Sequence, residues 1–282
     1  MSCRHLSNEL WKLFGEKRTY IGFGAFLVAQ NVMLLMFQFT RWQSDWERLL
    51  AGNGYFAQEY MSALTVAVVM LIPQVSLLMP LYAALVGGDL VAKEVEDGTV
   101  RMVLCRPISR FRFLFYKWLT GIVFSTVLVL VLGGTALGLA RLWFPWGNMF
   151  VYYPGVAFVS VYSTLSAHDG VRLYLCSHFF LIINSCAVFS LAFMFSCFNM
   201  KPAAATVLGL TFMFINLVLE ALPFFEGSKE WLLTYYWHAW LLVYAQPLPW
   251  DRIICSLCVL LPFNLTAFIV GAAAFQVRDI KS

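Results

Sequence analysis

Long apolar runs, each close to the length that crosses a lipid bilayer, recur through this sequence and constrain its fold more than any other feature. A membrane-spanning helix needs about 20 predominantly apolar residues. We predict six such helices, at residues 21–40, 62–86, 118–140, 173–198, 203–222 and 253–275. With 61% hydrophobic and only 12% charged residues, the chain cannot cover a water-exposed surface. We therefore expect an all-α polytopic membrane protein with one transmembrane domain over residues 1–282.

The lysine and arginine residues predict how these helices are oriented. Of the 19 basic residues, 13 fall on the side that holds both termini and the loop between the second and third spans, and 6 fall on the other side. Basic residues are enriched in cytoplasmic loops. We therefore expect a multi-pass protein of the plasma membrane, the inner membrane of a bacterium, with both termini in the cytoplasm. Its basic residues flank the membrane, so we expect no nucleic-acid partner.

The first residues predict an amphipathic helix that precedes the first span. Leu6, Leu10, Leu13 and Phe14 share one stripe at helical spacing. The opposite side carries the polar residues Asn8, Glu9, Lys12 and Glu16. Such a helix lies at the membrane interface. We assign residues 1–19 to this interfacial elbow helix, in contact with membrane lipid.

The segment 87–117, GGDLVAKEVEDGTVRMVLCRPISRFRFLFYK, is the longest charge-rich stretch of the chain. Gly98 tolerates backbone angles that end a helix, so we predict two short helices hinged at Asp97-Gly98. Thr99 and Ser109 are placed to cap the helices that follow them, and Pro107 to end one. Short hinged helices pressed between two spans would present a rigid docking surface.

This segment resembles the signature between the second and third membrane helices of type-2 ABC-transporter permeases. The matching residues are Glu94, Gly98, Thr99, Leu104, Pro107, Ser109, Arg110 and Lys117, and the C-terminal AAAFQVRDIKS is similar to the endings of these permeases. The resemblance implies a coupling helix that contacts a separate ATPase subunit. For that coupling we predict a set of motif residues and their charged neighbours: Lys93, Glu94, Glu96, Asp97, Gly98, Thr99, Arg101, Pro107, Ser109 and Arg110.

No nucleotide site is expected in this chain. The spacing Gly133-x-x-x-x-Gly138 is followed by Leu139-Ala140, whereas a phosphate loop needs Lys and then Ser or Thr. We therefore expect no enzyme activity and no cofactor here, with ATP and Mg²⁺ bound by the partner ATPase. Six spans make half of a translocator, so a second permease copy, forming a homodimer, is a further expected partner.

Polar residues within the spans are candidates for a transport pathway, because each needs a partner or a water-lined surface. The candidates are Gln74, Asn184, Asn216 and Glu220. The alternative, in which they hydrogen-bond neighbouring helices together, is left open. Residues 231–244 are apolar but too short to span, so we predict a re-entrant or interfacial element there, which the resemblance also implies.

These observations give a first hypothesis and an alternative. The first is the permease of an ATP-driven exporter. The alternative is a non-transporting scaffold of an ABC-type mechanical complex, whose ATPase works on an extracytoplasmic partner protein. The long aromatic outer loops that we predict at residues 41–60 and 141–172 motivate it. A membrane-embedded enzyme is disfavoured because no catalytic constellation is found. Amphipathic molecules, peptides, lipids and glycans all stay open as substrates.

Overall fold

The protein is described by a computed structural model that covers residues 2–52, 54–100, 108–153 and 161–277. In this part of the chain, six helical segments are long and apolar enough to cross a membrane. Each overlaps one of the six predicted spans, although the second ends later and the third begins earlier than predicted, and the prediction of an all-α polytopic membrane protein is confirmed. In chain order, the helices and strands are α1 (Ser2–Gly15), α2 (Lys17–Phe39), α3 (Trp42–Gly52), α4 (Ala57–Tyr60), α5 (Ala63–Pro73), α6 (Met79–Glu96), α7 (Arg110–Trp143), β1 (Met149–Tyr153), β2 (Val161–Leu165), α8 (Ala167–Cys197), α9 (Pro202–Ala221), α10 (Ala239–Leu242) and α11 (Trp250–Val277).

The second span is built from α5 and α6, joined by a π-helical turn, Gln74–Leu78. Ser62 caps α5, its Oγ accepting a hydrogen bond from the Thr65 amide at 3.4 Å. Pro73 stands at the junction with the π turn, where the proline has no amide to give to the helix. The wider turn lets the span continue through the proline without a break.

Helix α6 extends ten residues beyond the predicted end of the second span and reaches Glu96. The expectation of a separate short helix before Gly98 is therefore corrected. Helix α6 continues through Gly87 and Gly88. The absence of side chains at these two positions lets neighbouring helices approach α6 closely. A Cβ on Gly87 would lie 2.5 Å from the Phe189 carbonyl oxygen of α8, and one on Gly88 would lie 2.3 Å from Thr206 Oγ1 of α9.

The bundle has two different ends. At the α1 end, α1 contacts the end of α6 and the beginning of α7, and Arg110 Nη1 donates to Gln276 O of α11 at 3.1 Å. At the opposite end, called the hairpin end, the Ala63 amide donates to Pro145 O at 2.9 Å. These contacts hold the segments that connect the spans at each end of the bundle.

The hairpin end carries structure that the sequence analysis treated as loops. Residues 141–172 contain a two-stranded antiparallel sheet in which Met149 pairs with Leu165 and Tyr153 with Val161. The Phe150 amide donates to Thr65 Oγ1 at 2.9 Å, which fixes the sheet on α5. The predicted polar loop 41–60 contains α3 and α4. Both loop assignments are corrected, because buried aromatic contacts stabilise a folded cap here.

Helix α8 lies at the centre of the bundle and contacts α5, α6, α7, α9 and α11. A chain of hydrogen bonds crosses it, from Trp118 Nε1 to Ser190 Oγ at 3.0 Å and from Ser190 Oγ to Asn264 Oδ1 at 3.0 Å. In an apolar surrounding, such bonds satisfy polar groups that would otherwise be costly to bury. They join α7, α8 and α11 in the core.

The predicted non-spanning segment is folded into short 3₁₀ stretches, Pro223–Trp231 and Leu233–His238, followed by α10. Trp237 and Trp240 are buried, and the Trp237 carbonyl accepts a hydrogen bond from α8. The segment therefore packs on the bundle at its hairpin end, and in the described residues it is distinct from the six spanning helices.

Two adjacent glycines of α7 test this close packing. A Cβ on Gly133 would lie 1.6 Å from Nε2 of the buried His178, whose Nδ1 is 2.6 Å from Tyr174 O. We expect Gly133→Ala to lower the free energy of unfolding by about 1–3 kcal/mol, because the ring has to be displaced from a packed core. Thermal or denaturant unfolding of the detergent-solubilised protein measures this.

Gly134→Ala is the matched control, since a Cβ there meets no atom within 4 Å. Alanine favours a helix over glycine by about 1 kcal/mol, so this variant should be as stable as the wild type or more so. Equal destabilisation of both variants would contradict the packing described for α7 and α8.

Candidate functional site at the α1 end of the bundle

The last turn of α6 leads into a sharp acidic turn, defined here as Glu96, Asp97, Gly98 and Thr99. The Asp97 amide donates to Lys93 O at 2.8 Å, and Gly98 follows with φ of +72°. This left-handed conformation costs a residue with a side chain more than it costs glycine. The predicted break at Asp97-Gly98 is therefore confirmed. Glu96 and Asp97 are exposed, so two carboxylates project from the end of a spanning helix.

Thr99 ties this turn back to α6. Its Oγ1 donates to Glu94 O at 3.1 Å, which satisfies a carbonyl that the helix end leaves free. The helix that Thr99 was expected to cap falls largely on residues 101–107, outside the described residues. Arg101 and Pro107 lie there as well, and their assignments stay predictions.

The other end of the segment begins α7. Ser109 Oγ accepts a hydrogen bond from the Arg112 amide at 3.3 Å, so its predicted capping role is confirmed. Arg110 contacts the end of α11 through Gln276 O. Ser109 and Arg110 thus fix the beginning of α7 and connect it to the end of α11.

Glu94, which the sequence analysis predicts as a coupling residue, is buried and does not lie on the exposed surface of the turn. It is 7% exposed and faces into the bundle. Its Oε1 pairs with Lys12 of α1, and its Oε2 lies 2.9 Å from Lys117 Nζ of α7. A carboxylate held by two ammonium groups, one from each neighbouring helix, joins three helices at one point.

Further ion pairs extend this arrangement. Lys117 Nζ also lies 2.9 Å from Glu9 Oε2, and Lys93 Nζ lies 3.3 Å from Glu16 Oε1. We call the six residues the charge cluster: Glu9 and Lys12 of α1, Glu16 between α1 and α2, Lys93 and Glu94 of α6, and Lys117 of α7. Three carboxylates and three ammonium groups balance one another, so the cluster is neutral as a whole.

Lys117 is the most enclosed member of the charge cluster. It is 2% exposed, and its Nζ lies 5.1 Å from the centre of the Phe113 ring one turn earlier in α7. A buried ammonium requires paired carboxylates, since an unpaired charge in the interior is strongly disfavoured. Glu9 and Glu94 supply that pairing from two different helices.

Lys12 keeps its charge in this setting. Burial lowers the pKa of its ammonium group, but the hydrogen bond and negative charge of Glu94, with Glu9 and Glu16 nearby, raise that pKa above its usual value. Lys12 is therefore protonated throughout the physiological pH range. A cavity of about 160 Å³ lies beside the cluster and is lined by Asp89, Asp97 and Thr99 as well as by the cluster itself.

The candidate pathway residues each contact a second structural element. Gln74 Oε1 accepts from Gln30 Nε2 of α2 at 3.2 Å, and Asn184 Nδ2 donates to Trp237 O at 2.9 Å. Asn216 Oδ1 accepts from the Leu233 amide at 3.1 Å. Glu220 Oε1 lies 3.3 Å from His238 Nδ1. These contacts favour a structural role within one protomer, while a role in a pathway stays a prediction.

Sequence reasoning named Glu94 and Lys117 as parts of the motif but did not find their partners. Glu9 and Lys117 are 108 positions apart, and Lys12 and Glu94 are 82 apart. The available signal was the polar stripe predicted for the N-terminal segment, which includes Glu9, Lys12 and Glu16 of the charge cluster. Its apolar residues Leu13 and Phe14 pack against the bundle core.

Comparison with known proteins gives one family and one relative. The family model described as "ABC-2 family transporter protein" matches residues 16–229, which run from the beginning of α2 into the 3₁₀ segment after α9. A stretch of 66 residues is 36% identical to the uncharacterized protein YhcI of Bacillus subtilis (strain 168). That stretch covers 23% of this chain and 21% of YhcI.

The two roles of the polar span residues can be separated with Asn184. If its hydrogen bond to Trp237 O joins α8 to the 3₁₀ segment, Asn184→Ala should lower the free energy of unfolding by about 1 kcal/mol. Asn31→Ala is the control, because Asn31 is exposed and bonds only Leu27 O of its own helix. Denaturant unfolding in detergent measures both. Unchanged stability of Asn184→Ala would count against the structural role.

Proposed function

This chain belongs to the ABC-2 family of transporter proteins, and from that premise we propose that it is the permease of an exporter driven by a separate ATPase. The permease spans the membrane. The ATPase subunit binds ATP and Mg²⁺ and docks at the α1 end. The proposal places that end, with both termini, in the cytoplasm, because most basic residues in the described part of the chain lie there.

The acidic turn is the observation that carries this proposal. It ends the longest part of the second span, and it exposes the carboxylates of Glu96 and Asp97 beside the beginning of the third span. A left-handed glycine and the Thr99 hydrogen bond hold the turn in one shape. A fixed polar projection at the junction of two spans suits contact with a partner that pushes on both.

A push on the acidic turn would be transmitted along α6. The helix is continuous from Met79 to Glu96 and is packed closely on α8 and α9 at Gly87 and Gly88. Packed helices move as bodies because their interfaces resist continuous deformation. Closure of two ATPase subunits on ATP would therefore tilt the second and third spans, and hydrolysis would reset them.

Two copies of the permease would form the translocator. Among the six spans, α2 and α9 are covered least by the rest of the protein, since only 22% of the most apolar stretch of each is buried. The groove between them and α6, about 740 Å³ in volume, is lined in part by the small residues Gly22, Ala25 and Ala203. Small residues allow helices to approach closely in a membrane. We place the seam of the homodimer on this face.

The alternative, a scaffold that acts mechanically on an extracytoplasmic protein, is supported by the folded cap at the hairpin end. Phe56 is 82% exposed and Trp146 is 45% exposed on this cap. Exposed aromatic residues are common at protein interfaces. Purification of the permease with its ATPase and a tightly bound extracytoplasmic protein, without flux in vesicles, would favour this alternative over an exporter.

Charge reversal in the acidic turn tests the docking site. We expect Glu96→Lys combined with Asp97→Lys to weaken binding of the ATPase subunit at least about tenfold, which is about 1.4 kcal/mol, because the exposed carboxylates would face it with the opposite charge. A candidate ABC ATPase from the same genome would be co-expressed with the chain, and its co-purification with the permease and its affinity for the permease in detergent would be measured.

The matched control carries the same change in charge at the hairpin end, as Asp45→Lys with Asp251→Lys, both exposed residues. It should bind the ATPase as the wild type does. Gly98→Pro should also lose binding, because proline cannot adopt φ of +72°, whereas Gly98→Asn should retain it. Wild-type affinity in both the charge-reversed protein and Gly98→Pro would contradict docking at this turn.

A further inference from the structure

We propose that Lys117 is a positioning residue that makes α1 move together with the acidic turn, so that α1 transmits force and does not only anchor the chain. This inference rests on the proposed function, because the force is taken to come from an ATPase at the acidic turn. It concerns a different part of the molecule, the charge cluster that joins α1 to α6 and α7.

The geometry of the charge cluster connects helices to one another. Its four pairs are Lys117 with Glu9, Lys117 with Glu94, Lys12 with Glu94, and Lys93 with Glu16. Two of them join α1 to α6 or α7, one joins α6 to α7, and the pair of Lys93 with Glu16 joins α6 to the residue that links α1 to α2. A surface ion pair between neighbours in one helix would hold nothing in place, whereas these pairs fix α1 against both spans.

Burial makes Lys117 the centre of this arrangement. The side chain is 2% exposed, and Glu9 and Glu94 each lie 2.9 Å from its Nζ. If α1 left the bundle, Lys117 would lose one carboxylate and Glu94 would lose Lys12. Separating a buried charge from its partner is strongly disfavoured, so α1 stays with α6 and α7 when they move.

A short chain of contacts links this centre to the acidic turn. Thr99 Oγ1 donates to the carbonyl oxygen of Glu94 at 3.1 Å, and the carboxylate of the same residue binds Lys12 and Lys117. A displacement of the turn therefore acts on Glu94 through its backbone, and on α1 through its side chain. Each step in this line is a direct contact within the protein.

Apolar contacts alone would not produce the same behaviour. Phe14 of α1 packs near Phe124 of α7, with ring centres 6.2 Å apart. Such contacts are non-directional and allow a helix to slide at a membrane interface. The charge cluster adds a fixed position, since each ammonium group has a defined carboxylate partner.

Glu9→Gln is the main test variant, because it removes one charge from Lys117 while the side chain keeps its size. Lys117→Met removes the central charge, and Lys117→Arg is the conservative change that keeps it. Asp45→Asn is the control, since it removes a carboxylate from an exposed ion pair with Arg48 at the other end of the bundle. All variants would be studied in the permease–ATPase complex.

The first measurement is the distance between spin labels at Trp11→Cys of α1 and Leu130→Cys of α7, both exposed positions, with the exposed native cysteines replaced. In the wild type and in Lys117→Arg we expect one narrow distance, unchanged by a non-hydrolysable ATP analogue. In Glu9→Gln and Lys117→Met we expect a broadened distribution when the analogue is bound.

The second measurement is the rate of permease-dependent ATP hydrolysis. We expect it to fall at least about fivefold in Glu9→Gln and to match the wild type in Lys117→Arg and Asp45→Asn. A Glu9→Gln complex that contains its ATPase and retains both the narrow distance and the wild-type rate would overturn the inference, even if Lys117→Met failed to fold. If the wild-type chain bound no ATPase, the proposed function would fail instead, on that separate observation.

Discussion

A lysine enclosed between carboxylates from two other helices is the interaction on which the α1 end of this protein depends. Lys117 is 2% exposed, with Glu9 of α1 and Glu94 of α6 each 2.9 Å away. Breaking a buried ion pair by removing one partner costs about 3–5 kcal/mol, because the remaining charge is uncompensated. The cost is large beside a typical stability of about 5–15 kcal/mol. The positions of α1, α6 and α7 are therefore set together.

The rest of the bundle extends this constraint away from the charge cluster. Helix α6 carries it along the close packing at Gly87 and Gly88, and α8 shares hydrogen bonds with α7 and α11 through Ser190. At the hairpin end, Thr65 holds the small sheet on α5. The described part of this protein is thus a closely packed bundle with the charge cluster at one end and an aromatic cap at the other. Such a bundle suits a role in which force enters at one end.

The sequence predicted the spanning helices well, because a run of apolar residues is a local signal with a length set by the bilayer. Gly98 and Ser109 were also predictable, since turn and capping preferences depend on single residues. The pairing of Glu9 with Lys117 was not, because a contact across 108 positions leaves no local trace. The sheet was not predicted. Buried residues alternate with more exposed ones in Val161–Leu165, but the partner strand Met149–Tyr153 begins with three buried residues in a row and lacks that alternation.

The proposed function requires that the acidic turn faces the cytoplasm and that the cap at the hairpin end faces the other side of the membrane. A single cysteine at Asp97, in the acidic turn, and one at Phe56, on the cap, would report this orientation through a membrane-impermeant thiol reagent. Both positions are exposed. We predict that the reagent labels Phe56→Cys but not Asp97→Cys in intact cells, and that it labels Asp97→Cys but not Phe56→Cys in inverted membrane vesicles. Labelling of Asp97→Cys in intact cells would contradict this orientation.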